Sequence, residues 1–300
     1  MYSIESGLLG SQVSTVFLGD SHAMCAFNDS IIPNSFNTIR NSESYFQTYY
    51  KLKWILNANP QINNVILSYS PHNISIKQNE IILYGNRYYP LFDEQAKGMI
   101  LNADEYNLLS LDDKCDLSIL KEKFKHLAIC NFLEFKWTWG FPVNMNEYWD
   151  YLGERQKSSK KLYLHPLFTT RYTSNQSNLN IQTIQTALNR HFYSDTNVLS
   201  SDIMIHSLIK MGELCEKNQV ILLLVGTPLH KSYKNAIPSD ILAIYYSLAD
   251  SLTRGNNFIT FSDFSDMEFQ EKEYGDGDHL NYTGNKNFSK LFSTYLIDLN

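Results

Sequence analysis

The chain has 300 residues, of which 43% are hydrophobic and 19% charged, and its formal net charge is −6. This composition is typical of a globular chain that buries a large core, and it excludes disorder over most of the length. A net negative charge does not attract the phosphate backbone of nucleic acids, so nucleic acid is not an expected partner. No stretch approaches the run of about 18 apolar residues that a membrane span requires, so no integral membrane segment is expected.

The cysteines and the N-terminal residues limit the kinds of protein that the chain can be. Cys25, Cys115, Cys130 and Cys215 show no Cys-x-x-Cys spacing, which argues against a zinc ribbon or a disulfide scaffold and favours free buried thiols. The first residues lack the basic start and apolar core of a signal peptide. We expect a monomer without cofactor or metal, cytoplasmic by default, or located in the cell envelope or periplasm if a leader has been removed.

The predicted elements of the first quarter are strands alternating with one helix. Apolar residues predict strands at 13–18 and 65–70, and 35–39 is a short candidate for a strand between them. Between the second and third strands, apolar and aromatic side chains recur at three- and four-residue spacing, which predicts a helix with Ser42 as its N-cap.

The last third continues the alternation of strands and helices. Amphipathic patterns predict helices at 201–217 and 239–254, the second ended by Gly255, and a terminal helix that begins at 283. The strands at 220–225 and 258–261 lie between these helices, and the first is apolar throughout, as central strands of parallel sheets are. The sequence therefore predicts an α/β fold: a flavodoxin-like, three-layer α/β/α arrangement with a mainly parallel five-stranded sheet.

The alternation stops between about residues 84 and 197. This segment is rich in Tyr, Trp and Asn and contains helical patterns at 117–129 and 181–192. No linker rich in Pro, Gly or Ser brackets it, so we interpret 84–197 as an insertion or cap within one domain spanning 1–300, with an independent second domain as the alternative. Trp139 and Arg171 are candidate substrate contacts within it.

Two short polar blocks carry the chemistry. Gly19-Asp20-Ser21-His22 follows the first predicted strand, and Asp276-Gly277-Asp278-His279 precedes the terminal helix. A Ser on the turn after a strand presents its hydroxyl at the sheet edge, and an Asp three residues before a His can hold the imidazole Nδ1–H and leave Nε2 as a base. These blocks predict a catalytic triad of Ser21, Asp276 and His279. Asp278 is the local competitor of Asp276, but we expect it to face solvent or cap the helix.

In content and placement, the two blocks resemble those of the SGNH (GDSL-type) hydrolase family, in which the first carries the nucleophilic Ser and the last carries Asp-x-x-His. His22 stands where the commonest first block has Leu. The resemblance implies an oxyanion hole built from the backbone N–H of Ser21, a residue after the second strand and an Asn after the third. Ser42 takes the second place, where the family has Gly, and Asn73 takes the third.

Further polar residues follow the same strands, and ligands of open α/β sheets bind beyond the carboxyl ends of strands. Asp20 is expected to stabilise the turn through local hydrogen bonds. The candidate substrate or supporting residues are His22, Asn41, His72 and His230.

Residues 37–45, 224–233 and 263–266, together with the final block, resemble the bacterial cell-envelope branch of the family, whose members handle O-acetyl or D-alanyl groups on alginate, teichoic acid and capsule. The resemblance covers roughly the first 75 and last 80 residues and implies a serine esterase that removes an acyl group, in first place O-acetyl, from a small molecule or carbohydrate. Three alternatives remain open: an O-acyltransferase for surface polysaccharide, a non-catalytic polysaccharide-binding protein with a degenerate site, and a metal-dependent phosphoesterase that uses Asp20, His22 and the 276–279 cluster as ligands.

Overall fold

The fold is built on one parallel sheet. A computed structural model describes residues 8–79, 174–193 and 200–299. The strands, with β1 to β5 in chain order, are Thr15–Leu18, Ser35–Asn37, Asn64–Ser68, Ile221–Gly226 and Ile259–Asp263. Their order across the sheet is β2-β1-β3-β4-β5, and all four pairings are parallel. The predicted three-layer α/β fold is confirmed, with every strand parallel.

Helices connect the strands. In chain order, α1 to α7 are Ser21–Ala26, Tyr45–Ala58, Ile181–His191, Asp202–Lys217, Lys231–Lys234, Ser239–Arg254 and Tyr282–Leu299. Short 3₁₀ turns occupy Pro71–Ile74, Ile76–Gln78 and Glu271–Glu273. None of the helices in these ranges combines the length and apolar character that crossing a membrane demands.

The two faces of the sheet carry separate cores. Val16 and Leu18 of β1 pack in the cluster that α2, α4 and α6 cover, whereas Phe17 between them packs with Phe288 and Phe292 of α7 on the other face. This two-residue alternation is the pleat of a strand, and in the inner strands both sets of side chains are apolar because helices cover both faces.

The start of α2 differs from the sequence prediction. Its N-cap is Ser44 and not Ser42, because Ser44 and Gln47 form a reciprocal capping box in which each side chain bonds the other residue's backbone N–H. Ser42 instead lies in the turn before the helix with a φ of 53°, in the left-handed region that favours glycine. Helices α4 and α6 begin within one residue of the predicted positions, and Ser201 caps α4 through its side chain.

The structure describes only part of the predicted insertion and two of the four cysteines. Residues 84–173 and 194–197 lie outside the described ranges, and with them Trp139, Arg171, the predicted helix at 117–129, Cys115 and Cys130. The predicted helix at 181–192 is present as α3, Ile181–His191. Cys25 and Cys215 are free and buried, as expected.

Candidate active site

The nucleophile candidate Ser21 lies on a sharp turn at the end of the inner strand β1. Gly19 makes this turn with a φ of 129°, and a Cβ there would lie 2.3 Å from Ser68 Oγ, so both conformation and space require glycine. Asp20 then caps α1, its Oδ1 accepting the N–H of His22 at 3.0 Å. Ser21 is therefore the first residue of α1, at the carboxyl edge of the sheet.

The structure brings the three predicted triad residues together. His279 Nε2 lies 2.8 Å from Ser21 Oγ, and His279 Nδ1 lies 2.9 Å and 3.1 Å from the two carboxylate oxygens of Asp276. Asp276 Oδ1 also accepts the backbone N–H groups of Asp278 and His279, which holds the carboxylate beside Nδ1. This is the hydrogen-bonding pattern by which a base activates a serine hydroxyl.

The position of Asp278 differs from the sequence prediction. It neither faces solvent nor caps the terminal helix; it is 1% exposed and lies among charged and imidazole groups. Its Oδ2 is 2.8 Å from Arg190 Nη2 and 3.1 Å from His22 Nε2, and its Oδ1 is 3.3 Å from His279 Nδ1. Adjacency to His279 in sequence gave no sign of this placement, because Arg190 and His22 are brought there by distant elements.

His279 therefore has two carboxylates beside one ring nitrogen. Burial by itself lowers the pKa of His279, but the charge of Asp278 and the hydrogen bonds that both carboxylates accept outweigh it and raise the pKa from 6.5 to about 10. Asp276 is the closer partner, and Asp278 adds a second negative charge. The two carboxylates thus stabilise the imidazolium form of His279, the form that proton transfer from a serine would produce.

A stack of imidazoles lies behind the nucleophile. The rings of His22 and His72 are 4.1 Å apart, and those of His72 and His191 are 4.3 Å apart. His72 Nε2 lies 2.6 Å from Asp20 Oδ2, and His191 Nδ1 lies 2.5 Å from the hydroxyl of Tyr233. Burial and the neighbouring His72 lower the pKa of His22 to about 4, and burial also lowers that of His191. Both rings are therefore neutral near pH 7.

Asp20 anchors this stack to the turn. Burial alone raises the pKa of Asp20, but the charge and hydrogen bond of His72 outweigh that effect and hold the pKa well below its usual range. The carboxylate thus remains ionised, with Asn73 Nδ2 as a further donor at 2.9 Å. The predicted role of Asp20 in stabilising the turn agrees with these contacts.

The backbone N–H groups of Ser21 and Ser42 are candidates for an oxyanion hole. Ser21 and Ser42 both line the cavity beside His279, and within the described ranges neither backbone N–H has a hydrogen-bond acceptor. Ser42 has a left-handed φ of 53°, a conformation that glycine adopts readily and that Ser adopts here. Ser21 is half-buried and Ser42 is exposed, so both N–H groups are available to an anion that forms in the cavity.

The remaining predicted residues fall into two groups. Asn41 and His72 line the cavity, whereas His22 lies buried behind it. Asn73 is also buried, and its amide bonds Asp20 and the backbone N–H of Ser70 and does not form part of the cavity wall. Its role as a third oxyanion donor stays a prediction. His230 lies outside the cavity wall, where it caps α5 and packs edge-on against Tyr274.

The cavity in front of Ser21 has a volume of about 300 Å³. The sequence analysis did not predict five side chains in its wall, because no motif marks their positions. They are Met24, Cys25, Gln78, Arg190 and His191. A larger cavity of about 480 Å³ lies at the opposite edge, lined by residues at the strand starts such as Asn63 and Asn64. That cavity has no nucleophile and base in contact, so the smaller one is the candidate active site.

The imidazole stack does not have the geometry of a preformed metal centre. His22, His72 and His191 each offer a ring nitrogen, and these nitrogens lie within 4.8 Å of one another. However, the rings of His72 and His191 are stacked with only 18° between their planes. Two imidazoles that bind one ion direct their nitrogens to a point lying in both ring planes, which stacked rings cannot do. A second group with close ligand atoms, His22, Asp278 and His279, shares its base with Ser21.

Comparison of the chain with protein-family models and with curated proteins found no match to either. The site is therefore interpreted from its own geometry.

Proposed function

We propose that this protein is a serine esterase of the SGNH type that removes a small acyl group, in first place O-acetyl, from a carbohydrate. The observation that carries the proposal is the continuous hydrogen-bonded chain from Ser21 Oγ through His279 to Asp276 at the open edge of the sheet. Its position at the exit of β1 and the two partnerless amides beside it support the same chemistry.

The reaction follows from these contacts. His279 Nε2 takes the proton of Ser21 as Oγ attacks the ester carbonyl, and the carbonyl oxygen becomes an anion that the N–H groups of Ser21 and Ser42 stabilise. The imidazolium then gives its proton to the leaving sugar hydroxyl, which breaks the ester bond and leaves acyl-Ser21. Water attacks in the second half with His279 again as the base, releasing the carboxylic acid and the free serine.

The cavity supports a small acyl group on a hydroxylated leaving group. Met24 and Cys25, one turn beyond Ser21 on α1, form the apolar part of the wall. Asn41 and Gln78 supply amides that suit sugar hydroxyls. A volume of about 300 Å³ accommodates an acetyl ester of a single sugar unit and little more.

A fluorophosphonate probe tests the nucleophile. The native chain should gain one adduct, Ser21→Ala should gain none, and Ser232→Ala, which changes an exposed serine outside the cavity, should label like the native chain. Intact-mass spectrometry reads all three. If the folded native chain is not labelled, or if Ser21→Ala labels equally, the serine mechanism is wrong and a binding protein becomes the better interpretation.

Substrate assays then separate hydrolysis from transfer and from metal chemistry. Acetylated and deacetylated surface polysaccharides are incubated with the protein, and mass spectrometry follows acetate release and acetyl gain in both directions. Release into water identifies the esterase, whereas acetyl gain on a sugar acceptor identifies the O-acyltransferase, which shares the acyl-enzyme. Loss of activity after chelation would instead favour the metal-dependent phosphoesterase.

A further inference from the structure

Arg190 is the exposed cation of the candidate site. It is the penultimate residue of α3, and it lines the cavity with 52% of its side chain exposed. Nη2 bonds Asp278 at 2.8 Å, and Nε donates to His191 Nε2 at 3.3 Å. Nη1 has no hydrogen-bond partner in the described part of the chain, so one edge of the guanidinium is available to a ligand.

The acidic groups near the cavity are already engaged. Asp20 accepts from His22 N–H, Asn73 and His72, and Asp276 accepts from the His279 ring and two backbone N–H groups. Among the described residues in the cavity wall, Arg190 is the only Lys or Arg. Arg190 shares its charge with Asp278, but its Nη1 edge is exposed in the cavity, so among the described residues of the wall it is the charged donor that a ligand meets.

We propose that Arg190 recognises an anionic group on the substrate, and that the esterase acts on an acylated acidic sugar whose carboxylate binds this guanidinium. The inference rests on the proposed function, which it deepens by naming the substrate class. A guanidinium offers two parallel N–H donors that match a carboxylate, and such charge-assisted bonds are stronger and more directional than those of a neutral donor. A sugar phosphate presents related chemistry and is distinguished in the test.

Arg190 also contacts Asp278, so its removal changes the charge beside His279 for every substrate. A single rate constant would confound this effect with recognition. The ratio of kcat/KM between two esters that differ only in charge isolates the recognition, because the change at His279 divides out of that ratio.

The experiment compares O-acetylated glucuronate, O-acetylated glucose and O-acetylated glucose 6-phosphate on the native chain, Arg190→Gln, Arg190→Lys and Arg254→Gln. Arg254 is a matched control, since it is an exposed arginine that also pairs with an aspartate, Asp250, but on α6. We expect Arg190→Gln to lower the glucuronate-to-glucose ratio by about tenfold or more, mainly through KM. Arg190→Lys should restore part of this ratio, and Arg254→Gln should leave it unchanged.

Two outcomes would overturn the proposal. If Arg190→Gln lowers kcat/KM for the acidic and neutral esters equally, Arg190 acts only through Asp278. If the phosphate ester shows the larger dependence on Arg190, the anion is a phosphate and the uronate assignment is wrong. If the native chain cleaves no ester, the proposed function fails separately. Calorimetric titration with glucuronate and glucose then tests the anion site alone, and equal or absent binding of both would overturn it.

Discussion

Asp278 is the residue whose environment is furthest from what its neighbours in sequence suggest. Burial raises the pKa of its carboxyl, but the charge of His279 and the hydrogen bond from His22 outweigh burial and lower it well below the usual range. The carboxylate thus carries a full charge next to the base. In a hydrolase, the neutral imidazole must accept the serine proton, so activity should rise as the pH increases through the pKa of His279.

Asp278→Asn should therefore shift the pH profile. Removing one of the two charges beside Nδ1 lowers the pKa of His279, and the acidic limb of kcat/KM should move down by about 1 to 2 pH units. The measurement is the kcat/KM of an acetyl ester between pH 5 and 10, with Asp250→Asn on the exposed face of α6 as the control. An unmoved acidic limb in a folded Asp278→Asn protein would show that Asp276 alone sets the base.

Ser42 combines a left-handed backbone with a side chain that the chemistry does not need. Ser42→Gly should keep esterase activity, because the N–H donor is retained, and should raise the free energy of unfolding by about 0.5–1 kcal/mol as the left-handed strain disappears. Ser42→Ala should also keep activity while gaining no stability. Urea unfolding and acetate release measure the two effects. A loss of activity in Ser42→Ala would assign the contribution to the hydroxyl and not to the backbone.

At the scale of elements, the segment joining β2 to α2 is held by a buried ion pair. Lys51 Nζ lies 2.6 Å and 2.7 Å from the two carboxylate oxygens of Glu43 and donates to the carbonyl of Thr38, and Thr48 donates to Glu43 as well. Both charged side chains are fully buried. Burial lowers the pKa of Lys51, and Glu43 counteracts the shift. This pair fixes the turn that carries Ser42 into the cavity.

Breaking the pair on one side should be costly. Lys51→Met leaves the Glu43 carboxylate buried without its cation and should lower the free energy of unfolding by about 3–5 kcal/mol, whereas combining it with Glu43→Leu should recover much of that loss. Lys53→Met, on the same helix but only half-buried, is the control. Urea denaturation reads the stabilities. If the double variant is as unstable as Lys51→Met, the cost lies in packing and not in the unpaired charge.

At the scale of the whole molecule, the buried imidazoles and carboxylates couple stability to pH in two directions. His279 has a folded pKa of about 10, so its contribution is complete below pH 6.5 and is lost as the pH rises toward 10. His22 has a folded pKa of about 4, so stability is lost as the pH falls from 6.5 toward 4. The lowered pKa values of Asp20 and Asp278 add a further loss below about pH 4.

Stability should therefore be greatest near pH 6.5. Between pH 6.5 and 4.5, protonation of His22 in the unfolded chain alone should lower the free energy of unfolding by about 2–3 kcal/mol. Urea unfolding at a series of pH values measures the curve, and His22→Asn should flatten its acidic side. A native curve that stays level from pH 6.5 to 4.5 would contradict the lowered pKa of His22.

Local patterns sufficed for the sheet and for the positions of the catalytic candidates. Apolar runs located the inner strands β1, β3 and β4 within a few residues, because a parallel strand covered on both faces is apolar along most of its length. The order Ser21, Asp276, His279 followed from two short blocks at strand ends. The start of α2 was misplaced, since Ser42 and Ser44 are both plausible caps in sequence and only Ser44 has Gln47 three residues later.

The sequence by itself determined the strand alternation, the turn at Gly19 and the residues that form the Ser21–His279–Asp276 chain, because these depend on neighbours along the chain and on the rule that parallel strands end at one edge. Only the tertiary structure decided the surroundings of that chain. Asp278 meets His22 across 256 positions and Arg190 across 88, and no periodicity or spacing encodes such contacts. They arise because α1, α3 and the loop before α7 converge where the sheet ends, and the charges they bring together set the protonation of the base.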